Sequence, residues 1–158
     1  MKPATIKELK KELEFHSSED LLEICLRLSK FKKENKELIT YLLFNSGNES
    51  EYIEKVKEEV EEQFLGLNTS SFYYIKKGVR RILRDIKKYS RYSGKKETEA
   101  ALLIFFLFKL KNFSPSIKGN KMLENIYDRQ RALLRKTIGT LHEDLQFDFE
   151  KELEDLSL

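Results

Sequence analysis

Residues 100–108 read Ala-Ala-Leu-Leu-Ile-Phe-Phe-Leu-Phe, nine apolar side chains in succession and the longest such run in the chain. Wound as a helix, this run is apolar on every side, and a helix with no polar face must be surrounded by other elements. It is too short to cross a membrane, which takes about 20 residues. The run therefore predicts a helix over residues 97–111 at the centre of a helical domain, with partners on several sides.

The rest of the chain supports an all-α reading. No segment alternates apolar and polar residues as a half-buried strand does. Only 6 Gly and 2 Pro occur in 158 residues, too few turn formers for many short strands. Apolar residues recur at helical spacing over residues 6–15, 19–30, 36–44, 50–65, 72–92, 97–111, 121–141 and 145–156. Thr5 with Glu8 forms a capping-box pattern, and Ser17 or Ser18, Asn35, Ser70 or Ser71 and Asn120 stand where N-caps are expected. Gly66, Ser93-Gly94 and the Pro115 loop supply stops. Whether Gly139-Thr140 kinks or breaks the seventh helix is left open by the pattern. The expected architecture is one all-α domain over residues 1–158, seven to eight helices in an irregular array or a short α-solenoid-like stack around the buried helix 97–111. No repeat of fixed period supports the solenoid form.

No secretory-type apolar segment follows the charged start, and the single cysteine excludes an internal disulfide framework. Both features lead to the expectation of a cytoplasmic protein without membrane contact. Cys25, within Leu22-Glu23-Ile24-Cys25-Leu26, reads as a small core residue.

The net charge of +3 conceals a strong segregation. Residues 1–70 carry 11 basic and 15 acidic side chains, net −4; residues 71–121 carry 14 and 3, net +11; residues 122–158 carry 5 and 9, net −4. At about 100° per residue, Phe72, Ile75, Val79, Ile82, Leu83, Ile86 and Tyr89 fall on one arc of the fifth helix. Lys76, Lys77, Arg80, Arg81, Arg84, Lys87, Lys88 and Arg91 fall on the adjoining arc, with Tyr73 inside it and Asp85 outside. Like charges at i,i+4 are mildly destabilising, so such a face exceeds what solubility requires. The fourth helix is its counterpart, carrying Glu51, Glu54, Glu58, Glu59, Glu61 and Glu62.

Three readings of the basic face follow. It binds an acidic protein surface or the acidic helix of a second copy, with charge complementarity supplying steering and register. Alternatively it binds nucleic acid, where phosphates attract Lys and Arg and an exposed Tyr stacks a base, although no zinc-finger, RNP or helix-turn-helix pattern accompanies it. In the third reading the acidic fourth helix neutralises it within the same domain.

Catalytic chemistry has no sequence signature. His16 and His142 lie far apart in sequence and neither belongs to an H-E-x-x-H or Glu-x-x-His pattern. The glycines form no phosphate-binding loop. Asp144, Asp148 and Glu152 share one helical face but lack the order of an EF-hand. The sequence thus points to a non-enzymatic interaction module with no cofactor or metal, an enzyme of unknown type being the third alternative.

Overall fold

Two reciprocal caps open the chain. Thr5 Oγ1 accepts from the Glu8 N–H while Glu8 Oε2 accepts from the Thr5 N–H at 2.8 Å. Ser17 and Asp20 repeat the arrangement, with Ser17 Oγ accepting from the Asp20 N–H at 3.1 Å. These hydrogen bonds hold both carboxyls below their usual range, Glu8 chiefly through the Thr5 backbone and Asp20 chiefly through the Ser17 hydroxyl. They start α1 (Ile6–Leu13) and α2 (Ser18–Phe31). The computed structural model describes residues 1–156, and among these it contains eight α-helices and no strand. The chain divides into two compact units, Met1–Phe44 and Asn45–Leu158.

In the first unit α3 (Lys33–Thr40) packs on α2 and runs into a π-helical turn, Tyr41–Asn45. Asn35 does not cap α3. The helix begins two residues earlier without a side-chain cap, and Asn35 Nδ2 donates to the Leu28 carbonyl at 2.8 Å, tying α3 to α2. Among residues 1–44 only Ser29 and Tyr41 are buried, and the apolar stripes of α1 and α2 stay open, with Ile6, Leu22 and Phe31 all more than 60% exposed. Cys25 is exposed rather than in a core, because this unit buries almost no apolar side chain.

The second unit comprises α4 (Glu49–Leu65), α5 (Phe72–Ser93), α6 (Lys96–Lys111), α7 (Lys121–Ile138) and α8 (Glu143–Glu154). α6 is the central helix: it packs against α4, α5, α7 and α8 and buries Leu102, Leu103, Phe106, Leu107 and Leu110. A solenoid's elements meet only their neighbours in sequence, so four partners for one helix make this an irregular array. α4 contributes Tyr52, Val56, Val60 and Phe64 to the core, and α5 contributes Ile75, Val79, Ile82 and Ile86. Gly139 ends α7, and His142 caps α8, so the chain breaks at Gly139-Thr140 and the seventh and last segments are separate helices. The C-terminal end is fastened by the Tyr127 hydroxyl, which donates to the Leu156 carbonyl at 2.6 Å, and by Lys111 on the Asp155 carbonyl at 2.7 Å. Burial pushes the Tyr127 phenol's pKa up. Ile117 is fully buried in the Pro115 loop, and Phe113 meets Phe64 at 6.1 Å, so that loop closes the core.

Gly78 lies where α5 passes the α4–α5 loop. A methyl group there would meet Leu67 Cδ2 at 2.1 Å. Gly78→Ala gains about 1 kcal/mol in helix propensity and loses about 1–3 kcal/mol to overpacking. Thermal unfolding is expected to show a net destabilisation; a more stable variant would mean that Leu67 moves aside without cost.

Candidate binding face

α5 is 22 residues, about 33 Å, long. Ser71 opens it, its hydroxyl accepting from the Tyr74 N–H at 3.5 Å, and Gly94 closes it at φ 70, a left-handed conformation that suits glycine. Two tyrosines fix its orientation against α4. The Tyr52 hydroxyl donates to the Tyr89 carbonyl at 3.0 Å, and the Tyr89 hydroxyl donates to Glu59 Oε1 at 2.6 Å. The turn into α6 is held from the start of α4: Glu49 accepts from the Ser93 and Thr98 hydroxyls, each at 2.5 Å, and from Lys95 at 2.9 Å.

With Ile75, Val79, Ile82 and Ile86 committed to the core, the cationic arc must face outward. Lys77, Arg80, Arg81, Arg84, Lys87 and Arg91 are exposed; Lys76 and Lys88 are partly buried. Lys76 Nζ lies 3.7 Å from Met122 Sδ and 5.9 Å from the Tyr73 ring centre. Lys88 lies 4.0 Å from Asp85 Oδ1 and 4.7 Å from the Tyr89 ring centre. Among the described residues, no carboxylate stands within 4.0 Å of Arg80, Arg81, Arg84, Lys87 or Arg91.

The acidic helix does not neutralise these groups. Glu51 pairs with Lys55 at 2.7 Å, Glu54 with Lys57 at 2.8 Å and Glu61 with Lys109 of α6 at 2.7 Å. The Lys55 ammonium beside Glu51 holds that carboxyl below its usual range. Glu54 and Glu61 therefore look along α4 or toward α6, not toward the α5 arginines, and the third sequence reading fails at those side chains.

The face is divided rather than flat. On one side Arg80, Arg84, Lys87 and Arg91 border a cleft of about 630 Å³ floored by Leu83 and by Leu133 of α7. Lys95 and Lys96 close its end, and Glu99, the only carboxylate lining it among the described residues, pairs with Lys96 at 2.6 Å. On the other side Lys77, Arg81 and Arg84 border a smaller hollow of about 250 Å³ beside Gly66, Leu67 and Asn68. Arg84 stands on the crest between the two. Projection of α5 alone missed Lys95, Lys96 and Leu133. The signal for the two lysines was the Ser93-Gly94 reversal, which returns the chain toward Arg91.

The other residues singled out in the sequence do not join this face. His16 Nδ1 lies 3.0 Å from the Glu12 carbonyl, and His142 Nδ1 accepts from the Asp144 N–H at 3.4 Å as a helix cap. Asp144, Asp148 and Glu152 are exposed. Among the described residues no group of three or more His, Cys, Asp or Glu is placed to hold a metal ion, and no helix is long and apolar enough to cross a membrane. Comparison of the chain with known protein families, curated proteins and solved structures finds no match.

Proposed function

We propose that the Asn45–Leu158 unit is a non-enzymatic binding module that engages an acidic protein surface through the basic face of α5. The observation that carries this reading is the set Arg80, Arg81, Arg84, Lys87 and Arg91, exposed and with no carboxylate within 4.0 Å among the described residues. Charges left unanswered within the chain are available to a partner, where they steer encounter and fix register. Guanidinium groups remain charged at every physiological pH and bind carboxylates in a two-pronged geometry, which suits recognition rather than proton transfer. A cytoplasmic setting belongs to the same proposal, since the lone exposed Cys25 would stay reduced there.

A second copy is the less favoured partner. Glu51, Glu54 and Glu61 of α4 already answer lysines of their own chain, which leaves its acidic face weakened. Nucleic acid is the second reading, favoured by Tyr73, 63% exposed at the start of the same face. Fluorescence anisotropy with a labelled oligo-glutamate peptide separates the readings. The peptide is expected to bind and to be released as salt rises from about 50 to about 200 mM. Tighter binding of a DNA duplex at equal salt, with a steep salt slope, would transfer the reading to nucleic acid. Binding of neither would remove both.

A further inference from the structure

We propose that the cleft between α5, the start of α6 and α7 binds a compact polyphosphate anion, a molecule carrying two or more adjacent phosphoryl groups. The inference rests on the anion-recognising face proposed above and names what one part of that face takes.

The charge in this cleft is out of proportion to its size. Among the described residues, about 630 Å³ gathers six cations against one carboxylate. Two of the six are answered by their own chain, Lys96 by Glu99 at 2.6 Å and Lys95 by Glu49 at 2.9 Å. Arg80, Arg84, Lys87 and Arg91 are not, among the described residues. One phosphoryl group brings about 1.5–2 negative charges at neutral pH and leaves four cations half satisfied; two or three adjacent groups balance them.

Shape leads to the same class. The four cations follow one another at i, i+4, i+7 and i+11 along about 16 Å of helix, a row of donors suited to a short chain of phosphoryl groups. Arginine forks grip such oxygens in pairs. The volume falls within the range of about 300–1,000 Å³ typical of small-molecule sites, so a compact ligand enters whole. Leu83 and Leu133 form an apolar floor on which a carbon skeleton bearing the phosphoryl groups can rest. Lys77 and Arg81 border the other hollow and serve as an internal control.

The test is isothermal titration of the full chain with inorganic tripolyphosphate at fixed ionic strength, with sulfate as the reference anion. Tripolyphosphate is expected to bind at least about tenfold tighter than sulfate. Lys87→Glu with Arg91→Glu should weaken it about tenfold or more, and Lys77→Glu with Arg81→Glu by less than about threefold. Leu133→Trp alters no charge but fills the floor, and should weaken binding at least about threefold. Equal losses from the two charge-reversed pairs, or sulfate binding as tightly as tripolyphosphate, would overturn the proposal. A peptide with two adjacent phosphoserines distinguishes the sources: displacement of tripolyphosphate by it places the phosphoryl groups on a partner protein, and failure to displace places them on a free small molecule. The oligo-glutamate peptide in parallel separates this inference from the reading beneath it. Peptide binding without a tripolyphosphate preference removes the polyphosphate alone, and loss of both removes the basic face as a site.

Discussion

Arg80→Glu combined with Arg84→Glu is expected to weaken binding of an acidic peptide at least about a hundredfold, roughly tenfold for each reversed charge. The folded state should tolerate the change. Both side chains are exposed, neither has a carboxylate partner among the described residues, and neither reaches the core formed by Ile75, Val79, Ile82 and Ile86. Carboxylates at positions 80 and 84 would stand at i,i+4 from Lys76 and Lys88, replacing repulsive pairs by attractive ones. Each such pair contributes about 0.2–0.5 kcal/mol. Stability should therefore hold or rise slightly while affinity collapses, a combination that unfolding does not produce. Anisotropy and thermal unfolding on the same sample check both halves, and undiminished binding would exclude the α5 face.

The second large effect concerns the fold. Phe106→Ala is expected to cost about 3–5 kcal/mol, with a fall of about 10–20 °C in the midpoint of thermal unfolding. Phe106 is fully buried in α6, and its ring centre lies 5.9 Å from that of Phe64. Truncation leaves a hollow where α4, α5, α7 and α8 pack on α6, which the surrounding side chains close only in part. Phe108, two residues on, is 54% exposed, and Phe108→Ala should cost less than about 1 kcal/mol. Phe105 lies between them in character, half-buried with Lys57 and Lys109 at 5.9 and 5.8 Å from its ring centre. Urea unfolding of the three alanine variants should rank them Phe106, Phe105, Phe108. Equal losses at Phe106 and Phe108 would contradict the central position of α6.

Those two phenylalanines show how far a sequence can be read. The uniform run 100–108 announces that α6 must be surrounded, and it is, by four helices. It does not reveal the gap in that surround at Phe108, because a gap belongs to neighbours distant in the chain. The same division holds at the helix ends. Thr5, Ser17, Ser71 and Asn120 cap as residues of their type do, each accepting from the N–H three residues on. Asn35 was misread because α3 starts at Lys33, which places Asn35 inside its first turn, where the side-chain amide donates to the Leu28 carbonyl of α2. Periodicity also reports which face of a helix is apolar without reporting what covers it. Hence the open stripes of α1 and α2, and the exposure of Cys25, were invisible.

The candidate site divides in the same way. Eight cations on one arc follow from counting by 3.6. Their separation into a larger cleft and a smaller hollow depends on where α4, α6 and α7 lie beside α5. Lys95, Lys96 and Leu133 enter only through that packing. The fate of the acidic helix was equally hidden, since Glu61 chose Lys109 over any cation of α5.

The paired tyrosine links between α4 and α5 have a thermodynamic consequence. With Tyr52 bonded to the Tyr89 carbonyl and Tyr89 to Glu59, the backbone of the basic helix is ordered before any encounter. Ordering a backbone costs about 1–2 kcal/mol per residue, and here folding has already met that cost. What association must still freeze is confined to arginine and lysine rotamers, about 2 kcal/mol of entropy for each side chain at most. Binding at this face is therefore expected to be fast, rigid in its main chain and adaptable only at its tips.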